Sequence, residues 1–142
     1  MVTRQPRDAN PPMTVDSGMR ILIVDDQDTV LEILRSMLRK LGFRNVDTAK
    51  DGNEAFDKLH KAMSPYGLVI SDWNMQPVSG MELLAAVRRD RRLAATPFIM
   101  VTAENTTDHV VAAREAGVSS YITKPFSLDA VKRRLEAAVG AF

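Results

Sequence analysis

Short apolar runs alternate along the chain with longer stretches in which apolar residues recur at helical spacing. The runs, most of them rich in β-branched residues, are Ile21–Val24, 45–49, 68–71, 98–101 and Ser120–Thr123. Runs of this kind, when amphipathic helices separate them, are typical of a parallel sheet that is buried on both faces. The pattern therefore predicts five βα units, which right-handed crossovers close into a doubly wound three-layer α/β sandwich.

The first two predicted helices follow from apolar spacing and from residues that stop a helix. The first has an apolar face of five residues and ends at Gly42, since glycine is common just beyond a helix. Its apolar face is Val30, Leu31, Leu34, Leu38 and Leu41. The second carries Ala55, Phe56, Leu59 and Met63 on one face and is expected to stop near Pro65.

The last three predicted helices begin at residues that cap helices. The third opens with Ser79 and Glu82, the spacing of a capping box. We expect its end to leave four arginines in solvent, namely Arg88, Arg89, Arg91 and Arg92. The fourth starts near Thr106 or Thr107 and runs to Gly117, and the fifth begins at Ser127. The apolar face of the fifth carries Leu128, Val131, Leu135 and Val139.

Composition excludes several classes of protein. A chain of 142 residues fits one domain with a real core, and a net charge of +1 argues neither for nor against nucleic acid as a partner. The absence of cysteine excludes disulfides and thiolate metal sites. No run approaches the ~20 apolar residues of a membrane span, and no signal peptide is evident. We therefore expect a cytoplasmic protein without membrane insertion.

The first residues differ from the rest of the chain. Residues 1–18 are polar, lack apolar periodicity and contain Pro6, Pro11 and Pro12, so we expect a disordered extension. Met13 and Met19 remain alternative starts of the natural chain. The folded domain is expected to span residues 19–142.

Five side chains with reactive chemistry lie at the carboxyl ends of the predicted strands. They are Asp25, Asp26, Asp72, Thr102 and Lys124. In a parallel sheet these ends meet at one edge, where ligands bind. Clustered carboxylates stay ionised only beside a cation, and oxygen ligands suit Mg²⁺. A carboxylate can attack phosphorus, while a lysine and a threonine can hold the remaining phosphoryl oxygens. The set therefore predicts a metal-dependent aspartyl phosphate.

Four stretches in this order resemble the receiver domain of two-component response regulators, most closely the single-domain chemotaxis type. They are IVDD at 23–26, VISDWNM at 69–75, VTA at 101–103 and YITKPF at 121–126. The resemblance covers about residues 20–138 and implies a flavodoxin-like sheet of five parallel strands in the order 2-1-3-4-5.

The resemblance also implies a role for each matching residue. Asp72 would accept phosphate from a histidine kinase, and Lys124 would contact the phosphoryl group. Mg²⁺ would be held by Asp25, Asp26, Asp72 and the backbone carbonyl of Asn74. Such a protein phosphorylates itself from a phosphodonor and loses the phosphate by autodephosphorylation, and it is not an enzyme that turns over a metabolite.

Further implied roles concern the output of the domain. Thr102 and Tyr121 would form a switch pair that remodels the surface of the last two βα units. Asn74 and Glu104 would tune how fast the phosphate is hydrolysed, and this pairing is similar to that of the chemotaxis type.

One loop departs from the family pattern. Receivers usually carry proline four residues after the phosphoacceptor, whereas here Gln76 stands at that position and proline follows at Pro77. Gly80 keeps its usual distance from the acceptor. The family pattern also implies a cis bond between Lys124 and Pro125.

Alternative functions remain open at this stage. Phosphatases of the haloacid dehalogenase type also use a strand-end Asp, Mg²⁺, Thr and Lys, but they need a second Asp where this chain has Asn74. A receiver-like phosphorelay or interaction module without a role in chemotaxis is the other alternative.

The downstream partner of a switch could be a flagellar motor switch, a histidine phosphotransfer protein or a kinase. We expect a monomer. His60 and His109 are expected to lie on helices away from the site.

Overall fold

Five parallel strands form a single sheet in the order β2-β1-β3-β4-β5, which confirms the predicted fold. The computed structural model describes residues 18–103 and 106–142. The strands are β1 Ile21–Val24, β2 Val46–Ala49, β3 Leu68–Asp72, β4 Phe98–Thr102 and β5 Ser120–Thr123. The expectation of a disordered extension at 1–18 therefore lies outside the described residues, except for Gly18.

Five helices connect and flank these strands. They are α1 Asp28–Lys40, α2 Gly52–Lys61, α3 Gly80–Arg89, α4 Thr107–Glu115 and α5 Leu128–Val139. The predicted capping box at the start of α3 is present, because the Ser79 hydroxyl accepts from the backbone N–H of Glu82 and the Glu82 carboxylate accepts from that of Ser79. Such a cap pairs backbone donors that a helix leaves open at its first turn.

Apolar side chains on the two faces of the sheet make two separate core layers. Leu22, Val69 and Met100 pack on one face with residues of α2 and α3. Ile23 and Ile70 point to the other face and pack with α1 and α5. Successive residues of a strand point to opposite faces, so strands buried on both sides must be apolar throughout. This explains why the runs read as continuous apolar segments.

Strand register brings the carboxyl ends to one edge of the sheet. Val24 pairs with Ser71 across β1 and β3, Asp72 pairs with Val101, and Thr102 pairs with Thr123. The residues that end each strand or directly follow it therefore lie side by side, as ligand sites of parallel sheets require.

Two details of the predicted helices were wrong. Helix α2 ends at Lys61, so Met63 lies beyond it and is fully exposed rather than on its apolar face. Arg88 is half-buried rather than solvated, and its guanidinium donates to the carbonyls of Ala94, Thr96 and Gly117 at 3.0, 2.6 and 2.8 Å. Burial lowers the pKa of Arg88. Helical spacing alone did not reveal that the α3–β4 and α4–β5 loops converge on this side chain.

None of the helices described is long and apolar enough to cross a membrane.

Candidate functional site

Three carboxylates meet at the carboxyl edge of the sheet. Asp25 directly follows β1, Asp26 comes next, and Asp72 is the last residue of β3. One carboxylate oxygen from each lies within 4.8 Å of the other two. Asp25 and Asp72 are buried, whereas Asp26 is exposed. The site is therefore a buried acidic floor with one side open to solvent.

The ammonium of Lys124 reaches this cluster from the residue that follows β5. Its Nζ lies 3.1 Å from Asp72 Oδ1 and 3.6 Å from Asp25 Oδ2. The backbone N–H of Lys124 donates to the carbonyl of Thr102 at 2.8 Å, which fixes the start of the loop. The bond between Lys124 and Pro125 is cis, as the resemblance implied.

Burial and the charges of neighbouring groups shift the pKa values of Asp25, Asp72 and Lys124. Burial raises the pKa of Asp25; the hydrogen bond from the Gln27 N–H opposes this rise, and the nearby Asp72 charge adds to it. Burial also raises the pKa of Asp72 despite the opposing contact with Lys124. Burial by itself would lower the pKa of Lys124, but its contacts with Asp72 and Asp25 outweigh that effect and raise the pKa. Three carboxylates face one ammonium, so a divalent cation would relieve the repulsion.

The donor set fits Mg²⁺. All three side chains offer carboxylate oxygens, and the chain has no cysteine to provide a softer ligand. Mg²⁺ prefers oxygen ligands, takes one or two carboxylates and keeps several waters, which an opening on the Asp26 side allows.

Close packing behind Asp72 fixes the position of its backbone. A Cβ on Gly80 would lie 2.2 Å from the carbonyl oxygen of Asp72 and 2.9 Å from the sulfur of Met100. The Gly80 N–H donates to the carbonyl of Trp73 at 2.9 Å. Only glycine permits this approach, so the first residue of α3 rests directly on the end of β3.

The loop between Asp72 and α3 contains the departure noted in the sequence. The bond between Gln76 and Pro77 is cis. Asn74 is exposed in this loop, and Met75 is buried. Glu104, the other residue expected to tune hydrolysis, lies outside the described residues.

Thr102 and Tyr121 lie on neighbouring strands, as the resemblance implied. Thr102 is buried at the end of β4, and both residues line a small cavity between β4, β5 and α4. Tyr121 is partly exposed, and the guanidinium of Arg134 on α5 lies 4.4 Å from the centre of its ring. No local spacing indicated this cation–π contact, because Tyr121 and Arg134 belong to different elements.

The expectation for His109 was wrong. Its ring lies 4.9 Å from the ring of Trp73, the residue after Asp72, and its Nδ1 is 2.9 Å from the hydroxyl of Thr106. Helical spacing placed His109 on α4 correctly, but only the tertiary structure showed that it lies against the residue that follows Asp72.

An ion pair at the mouth of the site was also missed. Lys50 follows β2, and its Nζ lies 2.5 Å from Asp28 Oδ1 at the start of α1. Both side chains of the pair are exposed, and Glu54 and Asp26 add negative charge near Lys50. Its partners are far apart in sequence, so no local spacing could have indicated it.

Comparisons with known proteins agree with this fold. Residues 21–136 match the family model of the response regulator receiver domain. The chemotaxis protein CheY of Pseudomonas aeruginosa is 43% identical over 118 residues, which cover 83% of this chain and 94% of that protein. The chemotaxis protein CheY-3 of Vibrio cholerae is 39% identical over 122 residues, covering 86% and 92%. The solved structure of CheY4 of Vibrio cholerae has a TM-score of 0.78 at 30% identity, covering 85% and 98%.

The fold and the strand-end site therefore define a receiver domain, and the chain belongs to the response regulator receiver family. Within that family it is a CheY-like protein. Membership assigns it to two-component signalling, in which receivers of this kind are phosphoacceptor switches rather than conventional enzymes.

Proposed function

We propose that this protein is a phosphorylation-operated switch whose Asp72 accepts a phosphoryl group from a histidine kinase in the presence of Mg²⁺. The observation that carries the proposal is the cluster of Asp25, Asp26 and Asp72 within 4.8 Å, with Lys124 Nζ 3.1 Å from Asp72. We take residues 19–142 as the receiver.

The proposed reaction is a single phosphoryl transfer. A carboxylate oxygen of Asp72 forms a bond to phosphorus while the nitrogen–phosphorus bond of the donor phosphohistidine breaks. The electron pair of the broken bond stays on the histidine nitrogen, which takes up a proton. Lys124 pairs with one phosphoryl oxygen, and the Thr102 hydroxyl donates to another.

Asp25, Asp26, Asp72 and the backbone carbonyl of Asn74 would hold Mg²⁺. When bound, Mg²⁺ supplies charge neutralisation at the phosphoryl oxygens. Asp25 is fixed for this task by the N–H of Gln27, which donates to its Oδ1 at 2.9 Å. The exposed Asp26 leaves the outer side of the site accessible to a phosphodonor.

The output follows from movement of the proposed switch pair. Phosphate draws the Thr102 hydroxyl towards Asp72, and the Tyr121 ring turns inward, which changes the surface of the last two βα units. A ligand shifts such an equilibrium only by its preference for one state, and full reversal of a 1:99 population requires ~5.5 kcal/mol. Asn74 and Glu104 would set the lifetime of the phosphate.

The partner of the phosphorylated form is a protein. We propose a cytoplasmic monomer that acts in chemotaxis, since the relatives reported above are named as chemotaxis proteins. A flagellar motor switch, a phosphotransfer protein and a kinase are the three candidate classes of target. Nucleic acid is not among them.

Fluorescence of Trp73 tests the proposal directly. This residue is the only tryptophan, directly follows Asp72 and contacts His109. Mg²⁺ is titrated first and beryllofluoride second, in the wild type and in Asp72→Asn. We expect a Mg²⁺-dependent change, followed by a second step that Asp72→Asn lacks.

Asp129→Asn is the matched control, because Asp129 is an exposed aspartate on α5 and does not belong to the carboxylate cluster. It should respond like the wild type in both steps. A folded wild type that responds to neither ligand would reject the phosphoacceptor function and favour a receiver-like interaction module.

A further inference from the structure

Three arginines line a polar cavity at the amino edge of the sheet, opposite the Asp72 site. This arginine cavity has a volume of about 190 Å³ and is formed by α1, the loop after it and the start of the edge strand β2. Its lining residues are Arg35, Arg39, Phe43, Arg44 and Val46. All three arginines are exposed, so their guanidinium groups are accessible from solvent.

The side chain of Arg35 is directed towards this cavity. Its Nη2 donates to the carbonyl of Val46 at 3.2 Å. Glu32 lies one turn earlier on the same helix, at a spacing that would allow an ion pair. Within the described residues, however, no carboxylate lies within 4.0 Å of the charged nitrogens of Arg35, Arg39 or Arg44.

The charge pattern of α1 differs from that of α2 and α5. Arg35 and Arg39 are four residues apart, and like charges at this spacing repel one another. On other helices the same spacing joins opposite charges, as in Lys61 with Asp57 and Arg133 with Asp129. The arginine cavity thus concentrates positive charge that an anion would balance.

The aromatic side chain in the floor of the cavity is covered. Phe43 is fully buried, and the ring of Phe142 packs edge-on against it at 5.0 Å between ring centres. A ligand would therefore meet guanidinium groups rather than an apolar wall. Guanidinium groups bind phosphate oxygens through pairs of parallel hydrogen bonds, which lysine cannot do.

We propose that the arginine cavity binds anions that carry two adjacent phosphate groups. Three separated guanidinium groups around this volume suit a diphosphate better than a single compact anion. The site goes beyond the proposed phosphoacceptor function, because it lies at the opposite edge of the sheet and needs neither Asp72 nor Mg²⁺.

Isothermal titration with pyrophosphate tests this site, at fixed ionic strength and without Mg²⁺. We expect saturable binding of one pyrophosphate per chain, retained in Asp72→Asn. Arg39→Gln and Arg44→Gln should each weaken binding about tenfold, since each removes a charged double hydrogen bond. Neither side chain makes a hydrogen bond or ion pair within the described part of the chain, so both variants should fold.

The matched control is Arg89→Gln. Arg89 is an equally exposed arginine in the last turn of α3, as Arg39 is in the last turn of α1, but it lies outside the cavity. It should bind pyrophosphate like the wild type. An equal loss in Arg89→Gln would mean general charge attraction and would overturn the proposal, as would the absence of saturable binding.

Two further probes identify the source of the anion. Equal binding of adenosine diphosphate and pyrophosphate would support recognition of the diphosphate alone, and tighter binding of adenosine diphosphate would support a nucleotide ligand. A glutamate-rich peptide that binds while both diphosphates fail would reject the proposal in favour of an acidic protein partner.

Discussion

The ammonium of Lys124 lies 3.1 Å from the carboxylate of Asp72 and 3.6 Å from that of Asp25. One side chain from the end of β5 therefore bridges the ends of β3 and β1. In this position Lys124 balances part of the acidic charge, and it would also pair with an oxygen of the phosphoryl group proposed for Asp72. It has opposite effects on the two proposed ligands, because it repels Mg²⁺ and attracts phosphate.

Lys124→Ala should therefore bind Mg²⁺ more tightly than the wild type, by roughly tenfold, because a like charge leaves the site. It should also lose the second, beryllofluoride-dependent step of Trp73 fluorescence. Lys132→Ala removes an exposed lysine of α5 and should change neither measurement. Weaker Mg²⁺ binding in Lys124→Ala would show that Lys124 mainly positions the carboxylates.

Thr102→Ala should accept phosphate but respond to it less. Thr102 is buried at the end of β4, and a hydrogen bond from its hydroxyl to a charged phosphoryl oxygen would contribute about 1.5–3 kcal/mol. We expect a loss of at least tenfold in the affinity of the Mg²⁺-loaded protein for beryllofluoride. Thr102→Ser retains the hydroxyl and should stay within a few-fold of the wild type. Equal affinity in Thr102→Ala and the wild type would remove Thr102 from the switch.

Gly80→Ala should disturb the site through the backbone of Asp72. The added Cβ would lie 2.2 Å from the Asp72 carbonyl oxygen, so either α3 or the end of β3 must move, at a cost of about 1–3 kcal/mol. Urea unfolding measures this loss, and Mg²⁺ titration should show weaker binding.

Gly42→Ala is the control for Gly80→Ala, because it changes a glycine that does not contact Asp72. Gly42 has a φ of +103°, and no atom lies within 4 Å of an added Cβ, so the substitution strains the backbone without a clash. It should destabilise the protein and leave Mg²⁺ affinity unchanged. If both variants bound Mg²⁺ equally well, the contact between Gly80 and Asp72 would have no role in the site.

A hydrogen-bonded group at the amino edge should make stability depend on pH. Asp47 accepts from Tyr66 at 2.6 Å and from Arg20 at 3.0 Å. The Tyr66 hydrogen bond chiefly lowers the pKa of Asp47. Burial, with the Asp47 contact, raises the pKa of Tyr66 to about 12.

The sign of each effect follows from proton linkage. Because the pKa of Asp47 is lowered on folding, its ionised carboxylate stabilises the fold at pH values above its unfolded pKa of 3.8. This stabilisation is lost as the pH falls through the pKa that Asp47 has in the folded protein. Because the pKa of Tyr66 is raised on folding, its neutral hydroxyl stabilises the fold at pH values below its unfolded pKa of 10.0. This stabilisation is lost as the pH rises through the folded pKa of about 12. Tyr66→Phe should flatten both limbs of a plot of urea midpoint against pH. An unchanged plot would show that the contact adds no stability.

Arg134→Gln tests whether the contact with Tyr121 opposes activation. An exposed cation–π contact contributes about 0.5–1 kcal/mol, and the Tyr121 ring must leave Arg134 if it turns inward. The variant should bind beryllofluoride about two- to fivefold more tightly. Loss of the contact destabilises the state with Tyr121 outward, so less of the binding free energy is needed to turn the ring inward. Arg133→Gln, on the neighbouring exposed position, should bind it normally. Weaker binding in Arg134→Gln would mean that Arg134 supports the active state.

Local sequence patterns were sufficient for the elements of the fold. The strand at Ile21–Val24 and the cap at Ser79 were predicted at their observed positions, because a continuous apolar run and a capping box each extend over only a few residues. The rule that parallel strands end at one edge then brought Asp72 and Lys124 together without any distance being known.

Only the tertiary structure decided what depends on how distant segments pack. It showed that Asp25 is buried while the adjacent Asp26 is exposed, that Arg88 reaches three carbonyls, and that His109 lies against Trp73. The sequence by itself determined the order of the strands and helices and the set of chemical groups at the strand ends. The rotation of each helix on the sheet and the meeting of loops fixed the distances, burial and charge balance, because these arise from contacts between residues far apart in the chain.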